Sequence, residues 1–303
     1  MSLVINNNMM AANTARTLNS HYSNLAQSTQ RLSTGLRVNS AADDAAGLAI
    51  RELQRADIAA LHQGARNAND AISMIQTADG AMGVIDEKLI RLKELAEQAA
   101  TGTYDSTQRL MIESEYQAMA SEITRIANAT DFNGIHLLDG TLSSDTHDGS
   151  GKTAADGISS TGKMKIHFGT GNDSAEDYYY ITIGSVTASS LGVGNQASID
   201  SDGYTVSTQE AAQKALEAIN QAIISKDKIR AHLGAMQNRL ENTITNLNVQ
   251  AENLQAAESR ISDVDVATEM TQFVRNQILT QSAVAMLGQA NSLPQMAMQL
   301  IGG

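Results

Sequence analysis

Asn276-Gln-Ile-Leu-Thr-Gln-Ser-Ala-Val-Ala-Met-Leu-Gly-Gln-Ala-Asn-Ser-Leu-Pro-Gln-Met-Ala-Met-Gln-Leu-Ile-Gly-Gly303 contains no Asp, Glu, Lys or Arg, and the start of the chain, Met1 to Ala15, is equally free of charge. A run of this length suggests a membrane span. Gln277, Gln281, Gln289, Asn291, Gln295 and Gln299 interrupt it, however, and Pro294 sits inside it, so a transmembrane helix is not expected. Leu279, Ala283, Met286, Ala290, Leu293 and Ala297 recur at steps of four and three, which gives a helix with one apolar stripe and a Gln/Asn face. Burying that stripe does not offset the entropy of ordering the segment. The tail is therefore expected to fray in a lone molecule and to order where several copies bury it, which points to assembly.

The rest of the composition agrees with packed helices. The chain has 303 residues, 42% of them hydrophobic, with 3% aromatics, no Trp, no Cys and one Pro. Small side chains with few aromatics suit long, closely packed helices better than a layered sheet core. The absence of cysteine excludes disulfides, thiolate metal sites and cysteine catalysis, and leaves the compartment open. A formal charge of -12 argues against nucleic acid and anionic membrane as partners, since both select Lys/Arg-rich surfaces. The N-terminus lacks a cationic start, a long apolar run and a cleavage site, so the expectation is a cytoplasmic protein or one exported without a cleaved signal peptide.

From the N-terminus, Ala11, Ala15, Leu18, Tyr22, Leu25, Thr29 and Leu32 trace a heptad seam, and Gly35 and Asn39 end that helix. Ser40-Ala-Ala-Asp43 has the form of a capping motif ahead of a second long helix. The stripe of that helix runs through Ile72, Ile75, Met82, Ile85, Leu89, Leu92, Ala96 and Ala99, and Gly102 closes it. A third helix carries Tyr116, Met119, Ile123 and Ile126 before the turn Asp131-Phe-Asn-Gly134. Residues 139–162 are mostly Gly, Ser, Thr and Asp with hardly an apolar residue, hence loop. Strand signals follow at Lys163–Phe168, Tyr178–Ile183 and Ile199–Val206, the last with Asp202-Gly203 as a hairpin turn. Helix returns after Ser207 and runs through Leu216, Ile219, Ile223, Ile229, Leu233, Met236, Leu240, Ile244, Leu247, Ala251 and Leu254; Ser262-Asp-Val-Asp265 begins the last segment. The fold class is mainly α: an elongated antiparallel helical rod with terminal coiled-coil helices and a small β-hairpin insert.

No stretch reads as an active site. Gly149-Ser-Gly-Lys-Thr153 resembles the end of a phosphate-binding loop, but Thr146 stands where its first glycine belongs, and no buried strand precedes it. Asp263, Asp265 and Glu269 lack the spacing of a calcium loop and serve better as negative charge at a helix start. His21, His62, His136, His147, His167 and His232 are scattered without a zinc-pair spacing. Asp43-Asp44 are sequence neighbours whose side chains point apart, so a capping role is preferred to acid/base work. Neither an enzyme activity nor a cofactor nor a metal is expected.

Several segments are specific enough to resemble a known family. Gln30-Arg-Leu-Ser-Thr-Gly-Leu-Arg-Val-Asn-Ser-Ala-Ala-Asp-Asp-Ala-Ala-Gly-Leu-Ala-Ile50, Asp131-Phe-Asn-Gly134, Ile261-Ser-Asp-Val-Asp-Val-Ala-Thr-Glu-Met270 and Gln289-Ala-Asn-Ser-Leu-Pro-Gln295 are similar to bacterial flagellins of the short form without large outer domains. The resemblance covers about 1–140 and 207–303. It implies three regions: 1–39 plus 262–303 as an inner coiled-coil core, disordered in the monomer and lining the filament channel; 40–139 plus 207–261 as a helical rod; and 140–206 as a loop and β-hairpin region facing outward.

The same resemblance implies a structural subunit that self-assembles into the extracellular flagellar filament for motility, secreted through the flagellar secretion apparatus without a signal peptide. Implied partners are further copies of itself, the flagellar cap and hook-filament junction proteins, and a cytoplasmic export chaperone that covers the C-terminal stripe. Leu18, Leu25, Leu32, Leu279, Met286 and Leu293 are the expected subunit-interface residues on the terminal helices. Arg91, Leu95 and Glu115 occupy the positions that in the family meet the host innate receptor for flagellin, within Ile90-Arg-Leu-Lys-Glu-Leu-Ala-Glu97, where Lys93 and Glu97 depart from the family's pattern. The Ser and Thr of 141–162 offer hydroxyls for glycosylation. The alternative within the family is a hook-filament junction protein; outside it, a nucleotide-binding protein using Gly149–Thr153.

Overall fold

The computed structural model describes residues 7–143, 162–173, 176–198 and 201–301, with backbone alone at 293–295 and 297–301. The phosphate-loop look-alike Gly149–Thr153, His147 and most hydroxyls of 141–162 lie outside the described residues. In chain order the elements are α1 (Met9–Thr34), α2 (Ala45–Ala100), α3 (Ser106–Ala129), β1 (Asp131–Phe132), β2 (Ile135–His136), β3 (Met164–His167), β4 (Tyr178–Ile181), α4 (Ala188–Leu191), α5 (Gln209–Ser262) and α6 (Val266–Ile301). The mainly helical class and the small antiparallel hairpins are as the sequence led one to expect. Two compact units emerge, Met1–Ile58 with Glu252–Gly303 and Ala59–Ala251, and the division falls inside α2 and α5.

In the unit Ala59–Ala251, α2 supplies the spine. Ala68, Ala71, Ile75, Ala78, Met82, Ile85, Leu89, Leu92, Ala96 and Ala99 step by three and four along one face, and all of them are buried. They pack against Tyr116, Ala120 and Ile123 of α3 and against Ala212, Ala215, Ile219, Leu233 and Leu240 of α5. The antiparallel order of α2 and α3 follows from Arg91 meeting Glu115 while Arg109 Nε donates to the Ala99 carbonyl at 3.0 Å. That of α2 and α5 follows from Arg230 bonding Asp79 at 2.7 Å while Lys226 reaches Asp86.

Lys226 is the departure in this core. It takes a seam position on α5 yet is 1% exposed, paired with Asp86 and with Asp227 at 2.8 Å. The apolar stripe read from sequence passes from Ile223 to Ile229 and steps over it, because periodicity cannot foresee a buried cation whose partner sits on another helix.

The β insert is built on this spine. β3 pairs antiparallel with β4 in the register Met164↔Ile181 to His167↔Tyr178. Its end presses on α2 so closely that a Cβ on Gly64 would lie 2.0 Å from the Phe168 carbonyl oxygen, so only glycine fits there. β4 stops at Ile181 because the chain beyond it bonds elsewhere, Ile183 N–H to the Leu142 carbonyl and Val186 N–H to that of Leu138.

The strand expected at Ile199–Val206, with a hairpin at Asp202-Gly203, is not found among the described residues. The segment runs along α3 instead: Tyr116 donates its hydroxyl to the Gly203 carbonyl and Gln117 its amide to that of Tyr204, each at 2.8 Å, and Glu113 accepts from the Val206 N–H. With those groups taken, one parallel bridge, Val193↔Gly203, is what remains of strand pairing.

A candidate assembly surface on the terminal helices

Asn8 begins the site. Its side-chain oxygen accepts the Ala11 N–H at 3.0 Å and caps α1, while its Nδ2 donates to the Ala290 carbonyl at 2.8 Å. At the other end of α1, Arg31 Nη1 lies 3.7 Å from Glu269 Oε2. These two contacts set α1 against α6 as an antiparallel pair. The seam between them follows Ala11, Thr14, Leu18, His21, Leu25, Ser28 and Leu32 on one helix, and Glu269, Phe273, Asn276, Thr280, Ala283, Leu287 and Ala290 on the other, a heptad spacing on both.

The predicted interface residues divide. Leu18, Leu25 and Leu32 are half-buried in the seam and hold α1 against α6 within one chain, and Leu279 is half-buried beside the seam position of Thr280. Met286 points away at 61% exposure, and Leu287 takes the seam position. Tyr22, placed in the heptad from sequence, is likewise outside it, where His21 sits. The Leu293 side chain lies outside the described residues. A helix with apolar residues on several sides admits more than one line of fours and threes, and sequence alone does not choose between them.

What the seam buries fully is either small or polar: Ser28, Glu269, Thr280, Ala283 and Ala290 are its buried members. His21 Nδ1 and Arg31 Nε are buried with no hydrogen-bond partner, which weakens it further. Its large apolar members, Leu18, Leu25, Leu32, Phe273 and Leu287, are only half-buried, and further large apolar side chains stand outside it altogether. Val266, Met270, Val274 and Ile278 step by four along an exposed face of α6, and Met9 and Met10 stand exposed on α1.

The two joints of this unit are clipped to each other. Leu36 and Asp263 form an antiparallel bridge, Val264 N–H bonds the Gly35 carbonyl at 3.0 Å, and Arg37 Nη2 the Ile261 carbonyl at 2.7 Å. Asp265 caps α6, accepting from the Ala267 and Thr268 amides and, at 2.9 Å, from the Thr268 hydroxyl; this hydroxyl above all holds its carboxyl below the ordinary 3.8. The cap of α2 is not the Ser40-to-Asp43 motif named from sequence but Asp44, which accepts from the Gly47 N–H at 2.9 Å. Asp43 instead closes the preceding loop, accepting from Asn39 and Ser40 and from Gln27 across in α1, the contact that does most to lower its pKa.

A second surface lies on the unit Ala59–Ala251. Arg91 forms a forked pair with Glu115, Nη2 to Oε1 at 2.7 Å, and also meets Glu94 at 2.9 Å; Glu115 does most to raise the Arg91 pKa. Both residues are well exposed. Leu95, named with them from the resemblance, is 1% exposed and lies in the core cluster, next to Ala96 of the α2 stripe. Among the described residues no cluster of His, Asp and Glu could hold a metal ion, and no helix is long and apolar enough to cross a membrane.

Comparison with known proteins gives the family. Residues 5–143 match the family model described as the bacterial flagellin N-terminal helical region, and residues 216–301 match the C-terminal helical region. The chain is 40% identical to the flagellar filament 33 kDa core protein of Treponema phagedenis, over 99% of this chain and 100% of that one. It is 41% identical to the flagellin of Bacillus subtilis (strain 168), over 98% and 99% of the two chains. Among solved structures, a putative flagellar hook-associated protein from Vibrio parahaemolyticus superposes with a TM-score of 0.54 at 14% identity, covering 73% of this chain and all of that one, a likeness of fold alone. With both terminal helical regions matched and relatives aligned from end to end, the chain belongs to the bacterial flagellin family.

Proposed function

We propose that this protein is a structural subunit that self-assembles into the extracellular filament of the bacterial flagellum and so serves motility. The observation that carries the reading is the terminal pair: α1 and α6 bury a thin, polar seam and leave Val266, Met270, Val274, Ile278 and Met286 open to water. Exposed apolar surface of this extent calls for a partner, and neighbouring copies of the same two helices supply one along a polymer. On this reading 1–39 with 262–303 form the inner core, 40–139 with 207–261 the surrounding wall, and 140–206 the outward face. The open stripe also explains why an export chaperone would be needed before secretion.

The test is seeded polymerisation. Purified monomer added to short filament fragments should extend them into micrometre filaments under negative stain, with 1–40 and the stretch beyond 262 cut quickly by protease beforehand and protected afterwards. Growth that stops at a ring would favour a hook-filament junction protein, and no growth at all would sink the assembly reading.

The Arg91–Glu115 pair is the proposed contact for a host innate receptor. Because an exposed ion pair contributes little to stability, Arg91→Ala should leave the fold intact while weakening receptor binding in a pull-down. Unchanged binding would remove this surface from consideration.

A further inference from the structure

Asn133-Gly134 is the single Asn-Gly pair in the chain, and it forms the two-residue loop between β1 and β2, whose partners are Asp131↔His136 and Phe132↔Ile135. Both loop residues are left-handed, with φ of 53° and 80°, as a type I′ hairpin turn requires. Both are exposed. Nothing lies within 4 Å of where a Cβ on Gly134 would stand, so no side chain or backbone crowds the turn on that side. The Gly134 N–H donates to Asp131 Oδ2 at 3.2 Å.

We propose that Asn133 is a site of self-catalysed covalent modification and that Asp131 restrains it. The Gly134 nitrogen, once it loses its proton, attacks the Asn133 side-chain carbonyl carbon. A carbon–nitrogen bond forms, ammonia leaves, and a five-membered succinimide results. Water opens that ring at one carbonyl to give aspartate and at the other to give isoaspartate, so the net change is one water consumed and one ammonia released.

The carboxylate of Asp131 opposes the first step in two ways. It holds the Gly134 nitrogen in the turn, and its negative charge disfavours loss of that nitrogen's proton. Reaction therefore waits on local opening of a hairpin of two pairs, a small element of low intrinsic stability. The isoaspartate product adds a methylene to the main chain inside a loop that has no room for an extra atom. It would break the Phe132↔Ile135 pair and loosen two side chains packed on the core. Either product adds a negative charge two residues from Asp131.

The experiment is timed incubation of the full chain in mildly alkaline buffer, read by peptide mass mapping and an isoaspartate assay. Conversion at Asn133 should outpace that at Asn19 and Asn39, each of which precedes a serine. Asp131→Ala should speed it by about two- to tenfold, the rise in open-turn population that loss of one hydrogen bond gives. Asp131→Asn, whose amide oxygen can accept the same N–H, should fall between. In concentrated urea the three proteins should convert at one rate, since the restraint belongs to the folded turn. Conversion at Asn133 no faster than at Asn19 would overturn the site; an Asp131→Ala rate equal to wild type in buffer would overturn the restraint.

Discussion

Both α2 and α6 are long helices with apolar residues at steps of three and four, but α2 covers its stripe and α6 does not. Ile75, Met82, Ile85, Leu89 and Leu92 are each 1% exposed or less, walled in by α3, α5 and the strands. On α6 the buried positions are Glu269, Thr280, Ala283 and Ala290, Phe273 and Leu287 are half-covered, and the large side chains Ile278 and Met286 face water. Helical periodicity says that a face will be buried; the size of the residues on that face says by whom. A stripe of Leu, Ile and Met closes on the chain's own helices, whereas small residues inside and large ones outside leave the helix short of neighbours.

Truncating one leucine on each side of this contrast sharpens it most. Leu89→Ala removes a fully buried side chain and should lower the unfolding free energy by about 2–5 kcal/mol in a denaturant titration. Leu25→Ala removes a half-buried one from a thin seam, and about 1 kcal/mol or less is expected for the lone chain. On the assembly reading, the same Leu25→Ala should nevertheless slow filament growth. Equal losses of stability in the two variants would break the contrast.

Glycine-to-alanine substitution should change sign between the two regions. At Gly64 the new methyl would meet the Phe168 carbonyl at 2.0 Å, and moving that backbone should cost about 1–3 kcal/mol, with a loss of near-ultraviolet signal as Tyr179 leaves its contact with Phe168. At Gly288, in α6, nothing lies within 4 Å, and alanine should stabilise the helix by about 0.5–1 kcal/mol. A stabilised Gly64→Ala would mean that the strand end does not bear on α2.

These contrasts also mark how far the sequence could be read. On α2 seven of the eight residues named from sequence, Ile75, Met82, Ile85, Leu89, Leu92, Ala96 and Ala99, are buried, while Ile72 is half-buried and Ala71 takes its place in the stripe, because a small alanine carries a weaker periodic signal than the isoleucine beside it. The Asn133-Gly134 turn and the Gly35 break were legible too, since left-handed geometry narrows the choice of residue. The strand predicted at 199–206 was not, because its β-branched residues carry no sign that Tyr116, Gln117 and Glu113 would take its backbone groups. Lys226 went unread for a related reason: burial of a charge is decided by its partner on the helix opposite, here Asp86. On the terminal pair, Asn8 went unread as the tie to Ala290, although an asparagine just ahead of an apolar-periodic run is the usual signal for a cap.

Acid should act on the joints of the terminal unit before it acts on the α2 core, and this is the smallest effect expected. Asp43 and Asp265 have folded pKa values below the ordinary 3.8, because Gln27 and the Thr268 hydroxyl favour their charged forms. A depressed carboxylate stabilises the fold fully above its unfolded pKa, and that contribution is lost as pH falls through the folded value. The window therefore opens below 3.8 and widens downward. The Ala267 and Thr268 amides, held by Asp265, should keep their hydrogen-exchange protection down to that point and lose it beneath, while amides around Leu89 stay protected. Asp265→Asn, which accepts the same bonds without titrating, should flatten the response. Loss of protection already near neutral pH, or an unchanged acid response in that variant, would show that something other than this cap fastens the start of α6.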